Sequence, residues 1–326
     1  MNLLTASRMK TAQACPRADH YRYELGLVAP STGAMVFGTA IHAGLEAWWT
    51  AIREGAPELS LSDAFLALDR SDLDDPFERA RAEAMLTAYD VRWRRWACGV
   101  DVLAVEAEFR APLREPGTGR VARTWELAGK MDALVRLADG RVAIVEHKSR
   151  SGDAGAGSDY RRKLTLDPQI SVYHDGAAAL GYEADLCLYD VLVKPSQKPL
   201  LATPELKLKK DGTPRAGQRE RDESPEEYRE RLVETIASDP ARYLIHAEIV
   251  RSERDREEHT QDAWGLVATI EHHRRRLPVL PPRHPGACFA HGSPCAFLGL
   301  CEGRARIEDF ARGGAHAELT QTTEAA

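Results

Sequence analysis

The sequence predicts an α/β architecture: a central mixed sheet flanked by helices, an N-terminal helical region and a C-terminal cysteine-rich coil. Three observations carry that prediction. Residues 129–148 read as two strands joined by a tight turn. Residues 100–195 run strands, helix, strand, the order of a sheet with a helical crossover. Residues 1–99 are patterned as helices, whereas periodicity is lost beyond residue 276.

Composition bounds the rest. The chain has 326 residues, of which 43% are apolar and 29% charged, with a formal net charge of -6. That is enough apolar content to fill a core, and the charge balance speaks against a general nucleic-acid binder while allowing a local basic groove. No apolar run approaches the ~20 residues of a membrane span. The N-terminal MNLLTASRMKTAQACP lacks the apolar core of a secretory signal, so a cytoplasmic protein is expected. The six cysteines are too few and too unevenly spaced for a disulfide scaffold. Cys98 and Cys187 sit in apolar surroundings and are expected to be buried thiols. One composite domain is expected: a helical part at 1–99, a core at 100–195, an insertion with helices and coil at 196–314, and a disordered tail at 315–326.

Taken in order, Ser7 is placed to cap a helix from Arg8 to Leu25, interrupted at Cys15-Pro16 because proline removes a donor and disfavours helical geometry before it. Gly33 to Gly38 reads as a turn, followed by a helix capped by Thr39. On that helix Ile41, Leu45 and Trp48 form an apolar stripe, and His42 and Glu46 share a neighbouring face. Residues 61–96 are helical with a gap at Asp74-Asp75-Pro76, and Trp93 and Trp96 are packing residues. Asp101 to Phe109 alternates as a strand, and Val121 to Leu127 begins the next. A Gly/Ser/Asp-rich loop after Lys148 exits through Arg161, Arg162 and Lys163. A helix over 167–180 places Gln169 and Tyr173 on one face, and Tyr182 to Val193 is a strand. The polar, basic stretch 194–227 is a loop or long hairpin open to DNA contact. Ser224-Pro225 starts a helix to Ser238, Ala241 to Arg251 is a strand, and Glu253 to Arg276 is a helix.

The hairpin carries the chemistry. Val142 to Val145 is a buried-strand signal that ends in Glu146-His147-Lys148, and a buried strand does not finish on ionisable residues unless they point into a site. Glu146 and Lys148 share one face by alternation. A two-residue Asp-Gly turn would place Asp132 opposite His147, on the wrong face. A three-residue turn ending in left-handed Gly140 places it opposite Glu146. Two carboxylates a strand's width apart suit Mg²⁺ or Mn²⁺, and an adjacent lysine can orient or deprotonate a water or steady phosphoryl charge. A histidine from another helix adds a nitrogen ligand.

These residues resemble the PD-(D/E)xK nuclease superfamily, in its RecB-like branch of Cas4-type and exonuclease V-type proteins. Gly129-Lys130-Met131-Asp132 and Glu146-His147-Lys148 match its two central motifs, Gln169 to Tyr173 matches its Gln-three-residues-Tyr motif, and Gly38 to His42 matches the motif whose histidine binds metal. Cys15-Pro16-Arg17 with Tyr21 matches the N-terminal motif of the iron–sulfur subset. The resemblance spans residues 7–193 and returns at 282–303. It implies a restriction-endonuclease-like core, with Asp132, Glu146, His42 and the His147 carbonyl as metal ligands. Lys148 then assists the attacking water, and Gln169 and Tyr173 position DNA or brace the site. It further implies that Cys15, Cys288, Cys295 and Cys301 hold a [4Fe-4S] cluster stapling the termini. Four thiolates also suit Zn²⁺. The implied substrate is DNA, single-stranded or with a free end, in recombination, repair or phage DNA metabolism. No Walker motif is present, so a helicase would be a separate partner. The competing readings are a non-catalytic DNA-binding scaffold on the same fold and an RNA-processing hydrolase.

Overall fold

The computed structural model describes every residue except 30, 206, 208, 210–217, 291, 292, 314, 317, 318 and 320–326. The chain opens with strand β1 (Asn2–Leu4) and helix α1 (Ala6–Ala14). Thr5 caps α1 by accepting from the Arg8 N–H, the role expected of Ser7. Extended geometry at Cys15 ends α1, and Pro16 opens α2 (Pro16–Asp19), which runs into a π-turn at His20–Glu24.

Helix α3 (Gly33–Arg53) starts earlier than expected, because Thr32 rather than Thr39 is its cap. The segment Gly33 to Gly38 is therefore helix, not turn. Burial of Phe37, Ile41, Leu45 and Trp48 along one stripe outweighs the ~1 kcal/mol that each glycine costs a helix. Helices α4 (Ser60–Asp69) and α5 (Pro76–Ala97) follow, the latter capped by the Asp75 carboxylate. Trp93 stacks on His246 with centroids 3.6 Å apart, a packing role as expected. Cys98, expected to be buried, is exposed at the C-cap of α5, whereas Cys187 is buried.

Strands β2 (Asp101–Arg114) and β3 (Val121–Arg136) pair antiparallel, and β3 continues unbroken into the hairpin with β4 (Val142–Arg150). The turn is the three-residue type: Leu137 N–H donates to Arg141 O at 2.8 Å, and Gly140 sits at φ +91°. The pairing Ala133↔Val145, extended by one step, sets Asp132 opposite Glu146.

Helices α6 (Asp159–Leu164) and α7 (Pro168–Ala179) lead to β5 (Leu186–Val193), parallel to β4. The strand starts at Leu186, later than the expected Tyr182, because Asp185 turns its carboxylate to the Val142 N–H, 2.7 Å away. Helix α8 (Pro225–Ser238) carries a complete Ser224–Glu227 capping box. Pro240 then opens a helical turn, α9 (Pro240–Tyr243), so β6 (Leu244–Ile249) is shorter than expected. Helix α10 (Glu253–Arg275) and the short α11 (Leu298–Glu302) follow, with 3-10 turns at Pro285–Ala287 and Ile307–Asp309.

The sheet order is β1-β3-β4-β5-β6, with β2 also on β3, so the sheet is mixed. Helices α3 and α5 cover one face through Trp48, Trp49 and Tyr89, and α7 and α10 pack on the other. Alternation along β4 sends Glu146 and Lys148 toward α7, and His147 toward α3 and α5. No helix among the described residues is long and apolar enough to cross a membrane. Most of the basic stretch at 206–217 and of the tail beyond 314 lies outside the described residues.

Candidate active site

The hairpin register brings Asp132, Glu146 and Lys148 to one face, and α7 closes over them. Asp132 Oδ2 accepts from the His147 peptide N–H at 2.7 Å, and its Oδ1 lies 3.5 Å from His42 Nδ1. Burial opposes the charge on Asp132, but His42, with His147 and Lys148, outweighs it and holds the carboxyl well below the usual range. Glu146 differs. Burial raises it, Lys148 only partly opposes that, and the Asp132 charge raises it further. Its Oε1 accepts from Gln169 Nε2 at 2.7 Å and pairs with Lys148 Nζ, while its Oε2 is buried without a partner.

Burial pulls the Lys148 ammonium down, but the Glu146 and Asp132 charges overcome it and keep it above its ordinary value. Lys148 is thus a cation here rather than a base. Gln169 ties the group together: Nε2 also donates to Tyr173 Oη at 2.8 Å, and Oε1 accepts from Lys10 and Lys148 at 3.2 and 3.4 Å. Tyr173 in turn donates to the Lys130 carbonyl at 2.8 Å, locking α7 to β3. Asp167 caps α7 at Gln169 N–H, which fixes where Gln169 projects.

An ionised Asp132 beside an orphaned Glu146 oxygen is a hard-oxygen donor set of the kind Mg²⁺ and Mn²⁺ take. His42 offers a nitrogen to the same place. Among the described residues, however, no three His, Cys, Asp or Glu side chains already stand together as a ligand group. Glu146 is turned to Lys148 and Gln169, so a cation competes with Lys148 for it. The His147 side chain faces away, and only its main chain reaches Asp132.

Sequence reasoning missed Glu106. The pairs Val105↔Ala133 and Ala107↔Met131 set it opposite Asp132, where it holds φ +50° and pairs with Lys130. Burial raises its carboxyl, Lys130 lowers it, and Asp132 raises it again. The acids Glu106 and Glu108, two apart within the apolar run Val102 to Phe109, were the available signal. Also missed was Arg150, which lies on the Glu146–Lys148 face with its guanidinium 4.0 Å over the Tyr160 ring.

The C-terminal coil docks on the N-terminal segment that carries Cys15. Arg17 Nε donates to Pro281 O at 2.8 Å, His284 Nδ1 lies 3.0 Å from Ala14 O, and Cys295 and Cys301 pack against the Tyr21–Phe297 cluster. Burial raises the Cys301 thiol; Cys15 and Cys295 lie near enough to raise it further, and Arg17 opposes. Cys295 N–H donates to Cys288 O at 2.7 Å. All four thiols are free and half-buried.

Comparison with known proteins bears on this geometry. No curated protein matches the chain. Nine solved chains match. One is the protein SSO0001, 11% identical over 81% of this chain and 86% of that one, with a TM-score of 0.34. Another is a candidate exonuclease from Eubacterium rectale, 12% identical over 93% of this chain and 94% of that one, with a TM-score of 0.48. A family model of the PD-(D/E)XK nuclease superfamily matches residues 3–302. With that match across nearly its whole length, the chain belongs to the PD-(D/E)XK nuclease superfamily.

Proposed function

We propose that this protein is a Mg²⁺- or Mn²⁺-dependent deoxyribonuclease of the RecB-like branch, acting on single-stranded DNA or DNA ends. The observation that carries the reading is the convergence of Asp132, Glu146, Lys148 and Gln169 on one sheet face, with one buried Glu146 oxygen left unpartnered. Asp132, Glu146, His42 and the His147 carbonyl are the residues that would hold the ion. When bound, it supplies Lewis-acid polarisation of the phosphoryl group and a more acidic water. Lys148 keeps its proton and steadies negative charge on the phosphoryl oxygens. Gln169 holds Glu146 and Lys148 in register, and Tyr173 braces Gln169 against β3. Work in recombination, repair or phage DNA metabolism, in the cytoplasm beside a separate helicase, fits this chemistry.

The same proposal assigns Cys15, Cys288, Cys295 and Cys301 to a [4Fe-4S] cluster with a structural role. Its support is the docking of the C-terminal coil on the Cys15 segment. Iron and sulfide assays on anaerobically purified protein should give about four of each per chain; one tight zinc and no iron would assign a zinc staple instead.

The test of activity is incubation of that protein with end-labelled single- and double-stranded DNA plus Mn²⁺. Shortening of the labelled strand, abolished in Asp132→Ala, is the expected result. DNA binding without cleavage by the wild type would return the chain to the scaffold reading, and cleavage of RNA alone to RNA processing.

A further inference from the structure

Behind the site, on the opposite sheet face, lies a carboxylate that the proposed chemistry does not use. Asp190 on β5 is 0% exposed. Its Oδ2 accepts from Tyr89 Oη at 2.6 Å and lies 2.9 Å from His147 Nδ1. Its Oδ1 faces His246 Nε2 at 3.3 Å without a hydrogen-bond alignment. Burial opposes ionisation of Asp190, but His246 and His147 outweigh it and keep the carboxyl well below its ordinary range. A charge this deep costs several kcal/mol unless it is partnered, and apolar side chains fill such positions without that cost. Its neighbours Val191 and Leu192 do so in the same strand.

The strand pairing suggests why it is there. The β3–β4 ladder stops at Ala133↔Val145, whereas β4 stays on β5 as far as Arg150↔Val193. At His147, therefore, β4 has parted from β3 but not from β5. There its peptide N–H turns to Asp132 Oδ2. His147 and Asp190 are direct partners across β4–β5, so their side-chain contact clamps the two strands at the point where the first pair opens.

We propose that Asp190 is a positioning residue: through His147 it holds β4 on β5 and so holds the peptide N–H that fixes the Asp132 carboxylate. Its consequence for activity rests on the hydrolase reading above. The effect on the peptide does not, and the two are separable.

The experiment compares wild type with Asp190→Asn, His147→Gln and His246→Gln. Three readouts are taken: amide exchange across residues 142–150 in metal-free protein, Mn²⁺ affinity by calorimetry with the metal alone, and kcat and KM on single-stranded DNA. Asp190→Asn should speed exchange in that segment, weaken Mn²⁺ about tenfold, as loss of a residue that orients a ligand does, and lower kcat more than KM. His147→Gln, which removes the clamp from its other end, should repeat this and serves if Asp190→Asn does not fold. His246→Gln removes a partner of Asp190 and the Trp93 stack and should lower Tm, but it leaves the His147 contact in place, so exchange across 142–150 and Mn²⁺ affinity should stay within about twofold of wild type. Unchanged exchange and Mn²⁺ affinity in the folded Asp190→Asn or His147→Gln protein overturns the inference. So does an equal loss in His246→Gln, which would mark general core damage. Faster exchange in the clamp variants of a wild type that neither binds Mn²⁺ nor cuts DNA would sink the hydrolase reading and leave the clamp standing.

Discussion

Replacing Lys148 by Met removes the ammonium that neutralises Glu146 and leaves a deeply buried carboxylate behind. Breaking a buried pair in this way costs about 3–5 kcal/mol when nothing else compensates. Here two features reduce that. The Lys148 side chain is 31% exposed, and Gln169 Nε2 still donates to Glu146 at 2.7 Å. The loss should therefore be about 2 kcal/mol at alkaline pH. Its pH dependence identifies the cause. Burial raises Glu146 in the folded chain and Lys148 pulls it back, so the variant's Glu146 holds its proton still more tightly. A carboxyl raised by folding favours the folded state below its unfolded pKa, and that favour is lost as pH rises through the folded value. Lys148→Met should thus lose more stability the higher the pH, with the smaller Tm loss at pH ~5 and a loss of about 3 °C by pH ~8.5 for a chain of 326 residues. The assay is thermal unfolding of metal-free protein in chelator at both pH values. A Tm loss that is the same at the two pH values, or larger in acid, would refute the assignment of Glu146 as the buried, proton-hungry partner.

His42→Ala should weaken Mn²⁺ about tenfold in a calorimetric titration while leaving Tm within a few degrees, because its side chain is half-exposed and its contact with Asp132 is loose. Gly176→Ala should destabilise by about 1–3 kcal/mol and lower activity, because a Cβ there would meet the Phe109 ring at 2.6 Å, and that ring packs edge-on against Tyr173. Chemical denaturation and strand cleavage check the two effects. Cys301→Ser should lower Tm and iron content together, with activity lost only in step with the folded fraction; loss of activity at full stability would reassign the cysteine coil to the reaction.

The hairpin was legible because its constraints are local and over-determined. Period-two alternation sets Glu146 and Lys148 on one face, and the turn length then decides which residue of β3 meets them. Only the three-residue turn lets Asp132 do so, and Gly140 supplies the left-handed backbone that this turn requires. Gln169 and Tyr173 were legible for the helical equivalent of the same reason: four residues apart, one face, with Asp167 as a cap that pins the first of them. The capping boxes at Ser224 and Ser252 likewise start their helices where side-chain chemistry requires.

What stayed hidden depends on contacts between segments far apart in the chain. Three residues at 2–4 carry no period, and only the free edge of β3 makes them a strand. Gly33 to Gly38 has the composition of a turn, yet the sheet beneath buries Phe37, and the helix extends back to Thr32 to allow it. Asp190 reads locally as a stray acid within an apolar strand. Its meaning exists only once β4, β5 and β6 are in register, so that His147, Asp190 and His246 stand in a row beneath Tyr89 and Trp93. Glu106 is similar, an ordinary member of an alternating strand until β2 is aligned on β3 and it falls opposite Asp132. In both cases the residue's chemistry is set by its neighbour across the sheet. Sheet register, which local periodicity constrains only within a hairpin, is therefore the step at which sequence reasoning stops at the hairpin carboxylates and structure supplies what holds them.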